Sequence, residues 1–181
     1  AIALCDRDGV YGIVRAHMAG KETGVRALVG CELTMEDESI LPVLVETQAG
    51  YRRLCHLLTT AHLRAPKGEG RVAWQELAEG HDGLIALTGD EYGPVRRGWR
   101  EQGAEAAAAA GAKLLEIFGR DRLYAEIQRH LIPEEEAENE FLIDWAQASG
   151  VPLLATNGVL YSTSQARTVA DVFTCLPLGS A

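Results

Sequence analysis

The 181-residue chain reads as an α/β protein, with a parallel sheet or barrel inside and helices outside. Three observations predict this. Short apolar runs alternate with longer stretches of helical periodicity. The runs are apolar on both faces, as strands covered from both sides are. Polar groups then follow directly on the runs: CDRD after Leu4, LVGCEL around Glu32, LIALTGDEYG around Asp90, AEIQRH ending at His130 and LLATNGVLY around Asn157. Strand ends of that kind are where α/β folds place their chemistry.

In order along the chain, IALCDRDGVYG (2–12) is an apolar strand, a charged loop Asp6-Arg7-Asp8-Gly9 and the start of a helical pattern at Val10. Val10, Ile13, Val14, Ala16 and Met18 keep helical spacing over 10–22, and Gly20 and Gly24 bracket its end. Residues 25–32 read as the second strand and 35–39 as an acidic connection. Residues 41–45 form the third strand, where Pro42 suits the start better than the centre. An amphipathic helix over 48–63 carries Tyr51, Leu54, Leu57, Leu58 and Ala61.

APKGEG (65–70) is a polar loop and the best candidate for a flexible link or proteolytic nick. It is too short to separate domains, so residues 1–181 read as one. A short helix over 74–79 and a strand over 83–88 follow. A helix over 103–118 draws propensity and close packing from Ala106 to Ala110. Residues 123–128 are a strand. The helix over 133–149 carries Glu134, Glu135 and Glu136 in its first turn, where the helix dipole favours acids. Gly150 closes it, Pro152 follows, 153–156 is a strand and 163–176 the final helix, trailing into LPLGSA.

Composition excludes several classes. The chain is 47% hydrophobic and 24% charged, and no apolar run approaches the roughly 20 residues of a membrane span. No secretory leader pattern is present, and the first residue, inside an apolar strand rather than a Met, suggests a piece of a larger protein. A net charge of −9 argues against gripping nucleic acid by its phosphates, which needs clustered Lys and Arg. The nearest cluster, Arg96-Arg97-Gly98-Trp99-Arg100, reads as a solvated helix face. Cys5, Cys31, Cys55 and Cys175 are scattered without a CxxC pair, which suits reduced thiols and a cytoplasmic location, Cys5 and Cys31 being buried and inert.

The common catalytic motifs are absent: no GxxxxGK phosphate loop, no GxGxxG after a strand, no HExxH and no GxSxG. Asp6 and Asp8 could hold a hard cation, but with Arg7 between them they make a poor cage, and Asp-x-Asp-Gly is also turn chemistry. Glu32 is a metal ligand or a partner for Arg7, because a carboxylate taken out of water must be paired. His130 at a strand end suits metal or phosphate contact or a structural hydrogen bond. His17, His56, His62 and His81 lack metal-ligand spacing.

The series IALCDRDGVYGIVRAH, VGCEL, GYRRLCHLLTTAHLRAPKGEG, LYAEIQRHLIPEEEAENEFL, VPLLATNGVLY and VADVFTCL resembles the PHP domain at the N-terminus of bacterial C-family DNA polymerases. These are the polymerase III alpha subunits, and the likeness is strongest to their error-prone branch. It covers nearly the whole chain in order. The resemblance implies a distorted seven-stranded βα barrel, here without its first strand and so with an open seam. In active members a metal cluster at the strand ends hydrolyses phosphoesters.

The ligand positions that the resemblance implies depart from that pattern one after another. The family's first-strand His-x-His pair is not in the chain. Where the second strand usually reads Thr-Asp-His-Asp, Cys5-Asp6-Arg7-Asp8 puts Arg7 in place of a ligand His. Glu32 matches the strand-end acid. Ile40 falls where a His usually opens the fourth strand, and Asp90 replaces a Cys or other ligand. Ala-Thr-Asn-Asp-x-His-Tyr reads Ala155-Thr156-Asn157-Gly158-Val159-Leu160-Tyr161, without the Asp and the His.

A metal needs several convergent ligands, and an Arg in the site repels a cation. The resemblance with these losses implies a vestigial site of Asp6, Arg7, Asp8, Glu32, Asp90, His130 and Asn157, with no catalytic residue and no metal expected. Arg7 would pair with Glu32, Asp6 or Asp90 as a buried ion pair. The implied function is a non-catalytic scaffold packed against the rest of a damage-tolerant polymerase. Its parent would use Mg²⁺ held by palm-domain aspartates elsewhere, and DNA would be bound by the parent rather than this segment. The alternative is a metal-dependent PHP phosphoesterase, free-standing or proofreading, using Zn²⁺ or Mn²⁺ with Glu32, Asp90 and His130.

Overall fold

The computed structural model describes residues 1–175. Six strands form one open, curled sheet whose spatial order follows the sequence: β1 (Ile2–Arg7), β2 (Ala27–Thr34), β3 (Ile40–Val45), β4 (Leu84–Leu87), β5 (Leu123–Ile127) and β6 (Leu153–Ala155). Helix α1 (Ile13–Thr23) joins β1 to β2, and α2 (Gln48–Arg64) with α3 (Trp74–Glu79) joins β3 to β4. Helices α4 (Pro94–Gln102) and α5 (Ala104–Phe118) lead to β5, and α6 (Pro133–Ser149) leads to β6. After a 3₁₀ turn at Ser164–Ala166 comes α7 (Arg167–Cys175); Leu176, the expected end of this helix, and the LPLGSA tail fall outside the described residues.

The α/β class and the βα alternation are as the sequence predicts, but the sheet is not all parallel. β3 runs antiparallel to both β2 and β4, while β1–β2, β4–β5 and β5–β6 are parallel. The reason is local. A parallel return needs a dozen or more residues, and the 35–39 connection is far too short, so it makes a hairpin. Met35 N–H donates to Ser39 O at 2.9 Å, and Asp37 Oδ1 accepts from both Ser39 N–H and Oγ.

Pro42 lies inside β3 rather than at its start, facing Glu32. The Met35–Ser39 bond sets hydrogen-bonded pairs on odd residues of β2, so Pro42 sits in a non-hydrogen-bonded pair and loses no bond to β2. On its other side the β4 ladder begins only at Val43.

Two boundaries shift for tertiary reasons. α1 starts at Ile13 rather than Val10, because the Asp6 carboxylate accepts Gly12 N–H at 2.7 Å and holds the preceding loop. β2 runs on to Thr34 because Asp8 and Val72 both bind that residue's backbone.

Strand register sorts the sheet into two faces. One carries Cys31, Leu33, Leu41, Val43, Ala86, Leu123 and Ala125, all fully buried under Leu54 of α2, Leu77 of α3, Leu114 of α5 and Leu142 of α6. At about 25 cal/mol per Å² this face dominates the stability of the fold. The opposite face carries Cys5, Arg7, Glu32, Thr34, Glu126 and Leu154. α2 lies against the sheet where Gly50 and Gly83 touch: a Cβ built on Gly50 would stand 1.9 Å from Gly83 O.

The run at 96–100 is a solvated face only in part: Arg97 and Arg100 remain partly exposed, but Arg96 does not. Arg96 on α4 is 3% exposed. Its Nη1 donates to Glu138 Oε2 at 2.8 Å and its Nη2 to Asn139 Oδ1 at 2.6 Å, both on α6. Only an acid 42 residues further on and an amide 43 residues further on make that burial possible, and the run itself holds no trace of them.

A strand-end cluster in two halves

The C-terminal ends of β1, β2, β4, β5 and β6, with the N-terminal end of β3, open at one end of the sheet. In the half built by β1 and β2, Arg7 Nε and Nη2 both lie 2.8 Å from Glu32 Oε2, across the paired positions of the two strands. This pair is partly exposed, with side chains 48% and 30% accessible, not buried. It forms at the mouth of the sheet, where water still reaches both groups.

Asp8 sits at φ 51 and is fully engaged. Its Oδ1 accepts Thr34 N–H at 2.7 Å and its Oδ2 the Thr34 hydroxyl at 2.6 Å. His62 Nε2 lies 2.8 Å from the Asp8 carbonyl oxygen, which pins the end of α2 to this loop. Cys31, buried under the helices, and Cys5, only half-buried on the opposite face, are free thiols, and burial, aided by nearby carboxylates, pushes both up to about 12. At neutral pH they are protonated and inert.

The other half is built by β4, β5 and β6. Asp90 accepts Tyr92 N–H at 3.0 Å in a local turn. Leu131, at φ 62, folds the chain after β5 back on the first turn of α6. Glu135 there accepts the His130 backbone N–H and lies 2.6 Å from ring Nδ1, while Nε2 stands 3.4 Å from Asn157 O. The Glu135 hydrogen bond holds the imidazole above its ordinary value.

In the same half, Glu126 of β5 and Gln128 just past its end are polar residues outside the set of sequence candidates. Both are nine-tenths buried or more. Gln128 Nε2 donates to Glu126 Oε1 at 3.0 Å and to Thr156 Oγ1 at 3.1 Å, and the Thr156 hydroxyl donates to Glu126 Oε1. Glu126 Oε2 has no partner among the described residues. The signal was available in AEIQRH, where two polar side chains two apart share one face of an otherwise apolar strand.

Of the sequence candidates, then, Arg7 meets Glu32 and His130 meets the Asn157 backbone, while Asp6, Asp8 and Asp90 each serve backbone N–H groups. A cation site needs several convergent donors. Among the described residues, no three His, Cys, Asp or Glu side chains are grouped to hold a metal ion.

An open, curled αβ sheet with acids and imidazole gathered at its strand ends defines the class, and the match is specific: residues 1–130 fit the PHP domain, and the chain belongs to the PHP domain family. Over 176 residues it is 36% identical to an error-prone DNA polymerase of Pseudomonas syringae pv. syringae, covering 97% of this chain and 16% of that protein. It is 31% identical to DNA polymerase III subunit alpha of Caulobacter vibrioides, covering 99% of this chain and 17% of that one. The chain thus spans about a sixth of the length of these relatives. The solved structure of an assigned metal-dependent phosphoesterase from Bifidobacterium adolescentis shares the fold, at TM-score 0.50 and 15% identity, over 96% of this chain and 85% of that one. No helix among the described residues is long and apolar enough to cross a membrane.

Proposed function

We propose that residues 1–181 are a single, non-catalytic PHP domain of an error-prone DNA polymerase III alpha-like protein. The parent carries out DNA-templated synthesis in damage-tolerant replication and repair in the cytoplasm. Its Mg²⁺ ions and its main DNA contacts lie outside this chain, and the domain serves as a scaffold for the rest of the polypeptide. The observation that carries this reading is the Arg7 guanidinium on Glu32 at 2.8 Å. A cation at Glu32 would have to displace that positive charge. Asp8, with both carboxylate oxygens on Thr34, and Asp6, on Gly12, are committed as well. The donor set does not suit the metal cluster on which PHP phosphoester hydrolysis depends, so no hydrolytic step is assigned to it.

The test is elemental analysis of the purified full-length protein, alongside hydrolysis of a generic phosphodiester. The scaffold reading expects no zinc or manganese at the PHP site and no hydrolysis. Two or more such ions per chain, with turnover abolished by Glu32→Gln or His130→Gln, would overturn it in favour of the phosphoesterase alternative.

A further inference from the structure

The chain holds 26 acids against 17 lysines and arginines, yet residues 47–68 contain no acid at all. Arg52, Arg53, Arg64 and Lys67 stand in that stretch, which is α2 with the loop after it. α2 turns Leu54, Leu57, Leu58 and Ala61 to the core. Helical spacing then puts Arg52, His56, Thr59 and Leu63 in one stripe on the opposite side, and all four are exposed. Arg53 flanks the stripe and Lys67 lies in the loop beyond its end, both exposed as well.

Arg96, Arg97 and Arg100 make a denser run, but each is already bound to an acid. Acids meet α2 along one edge, at α3 and the turn that follows it. Glu76 holds Arg64 at 2.5 Å, Asp82 lies 3.7 Å from Arg53, and Glu79 lines the same cleft. Arg52 and Lys67 have no acid partner among the described residues. Their charge is left for something outside the domain.

The stripe offers positive charge and hydrogen-bond donors, and Leu63 is its one apolar member. Protein partners are held instead by buried aromatic and aliphatic anchors in pockets. Phosphate backbones are held by Arg, Lys and Thr side chains on an open surface. From Arg52 to Leu63 the stripe runs about 16 Å, the length of roughly five base pairs. We propose that the outer face of α2 is an auxiliary contact for the phosphate backbone of duplex DNA. It rests on the reading that the parent protein works on DNA, and it adds a place where this domain touches the duplex. The experiment reads α2 and not metal content or hydrolysis, so this contact and the scaffold role can fail separately.

The experiment titrates the ¹⁵N-labelled chain with a duplex of about 12 base pairs at about 50 mM salt and follows the backbone amides. The expected result is a set of saturable shifts confined to α2 and the 65–70 loop, with a dissociation constant of about 10⁻⁴ M. With about three phosphates contacted, raising the salt to about 200 mM should weaken binding about 40-fold. Arg52→Glu with Arg53→Glu should weaken it about tenfold or more, the other amide signals staying in place. The same charge change on exposed α1, Arg15→Glu with Lys21→Glu, should leave binding within about threefold. No shift in α2, a salt response below about fivefold, or equal weakening by the α1 and α2 variants would overturn the proposal. So would a polyglutamate peptide of equal charge that shifts α2 as strongly as the duplex, which would make the face a protein-docking surface.

Discussion

Arg96 and Glu138 meet at 2.8 Å between α4 and α6, each side chain only 4% exposed. Asn139 closes the other side of the guanidinium and donates to Gln128 O at 2.9 Å, so the same network fixes the end of β5. Removing one partner of a buried pair leaves a bare charge in the interior. Glu138→Ala should therefore cost about 3–5 kcal/mol by urea unfolding, while the double variant Arg96→Met with Glu138→Leu should lie much closer to the parent. A loss below about 1 kcal/mol for Glu138→Ala would show that water reaches Arg96 after all.

The Arg7–Glu32 pair has nearly the same spacing, and the opposite outcome is expected. Its groups are 48% and 30% exposed, so solvent screens them and replaces what either partner loses. Arg7→Ala should change the unfolding free energy by less than about 1 kcal/mol. A penalty of about 2 kcal/mol or more would mean that the pair is far less hydrated than its exposure indicates.

His130 links stability to pH. Its charged form is favoured in the folded chain by the Glu135 hydrogen bond and by the Asn157 carbonyl. The stabilisation is fully present below the ordinary histidine value of about 6.5 and is lost as pH rises through the higher folded value. The melting temperature should fall slightly over that window, the effect being small because the ring is 39% exposed. His130→Gln should flatten the profile there. An NMR titration of the His130 ring that gives an ordinary or lower value would refute this account.

Gly50 sits in α2, where alanine ordinarily stabilises a helix by about 1 kcal/mol. Here the sign should reverse. The added Cβ would stand 1.9 Å from Gly83 O and 2.5 Å from Gly83 C, both backbone atoms that cannot swing aside. Gly50→Ala must push α2 off the start of β4 and should lower the melting temperature by several degrees, as overpacking by about 1–3 kcal/mol does. An unchanged or raised melting temperature would show that α2 can slide freely on the sheet.

By itself, the sequence determined the α/β class, nearly every helix and strand, and the strand ends at which polar groups collect. These follow from periodicity and from local stops such as Gly150, whose left-handed backbone at φ 69 ends α6. Even the reversal of β3 lay in the five-residue connection 35–39, though apolar strands suggested a parallel sheet. Only the tertiary structure decided which polar groups meet. His62 reaches Asp8 across 54 positions and Arg96 reaches Glu138 across 42, and neither distance leaves a mark on local pattern. Arg96 lies in a charged run that reads as solvated and is buried because α6 brings an acid and an amide to it. Glu126 and Gln128 looked like part of an apolar strand until the curl of the sheet enclosed them beside Thr156. Pairing energies of charged and polar side chains depend on burial, and burial is a property of the whole fold.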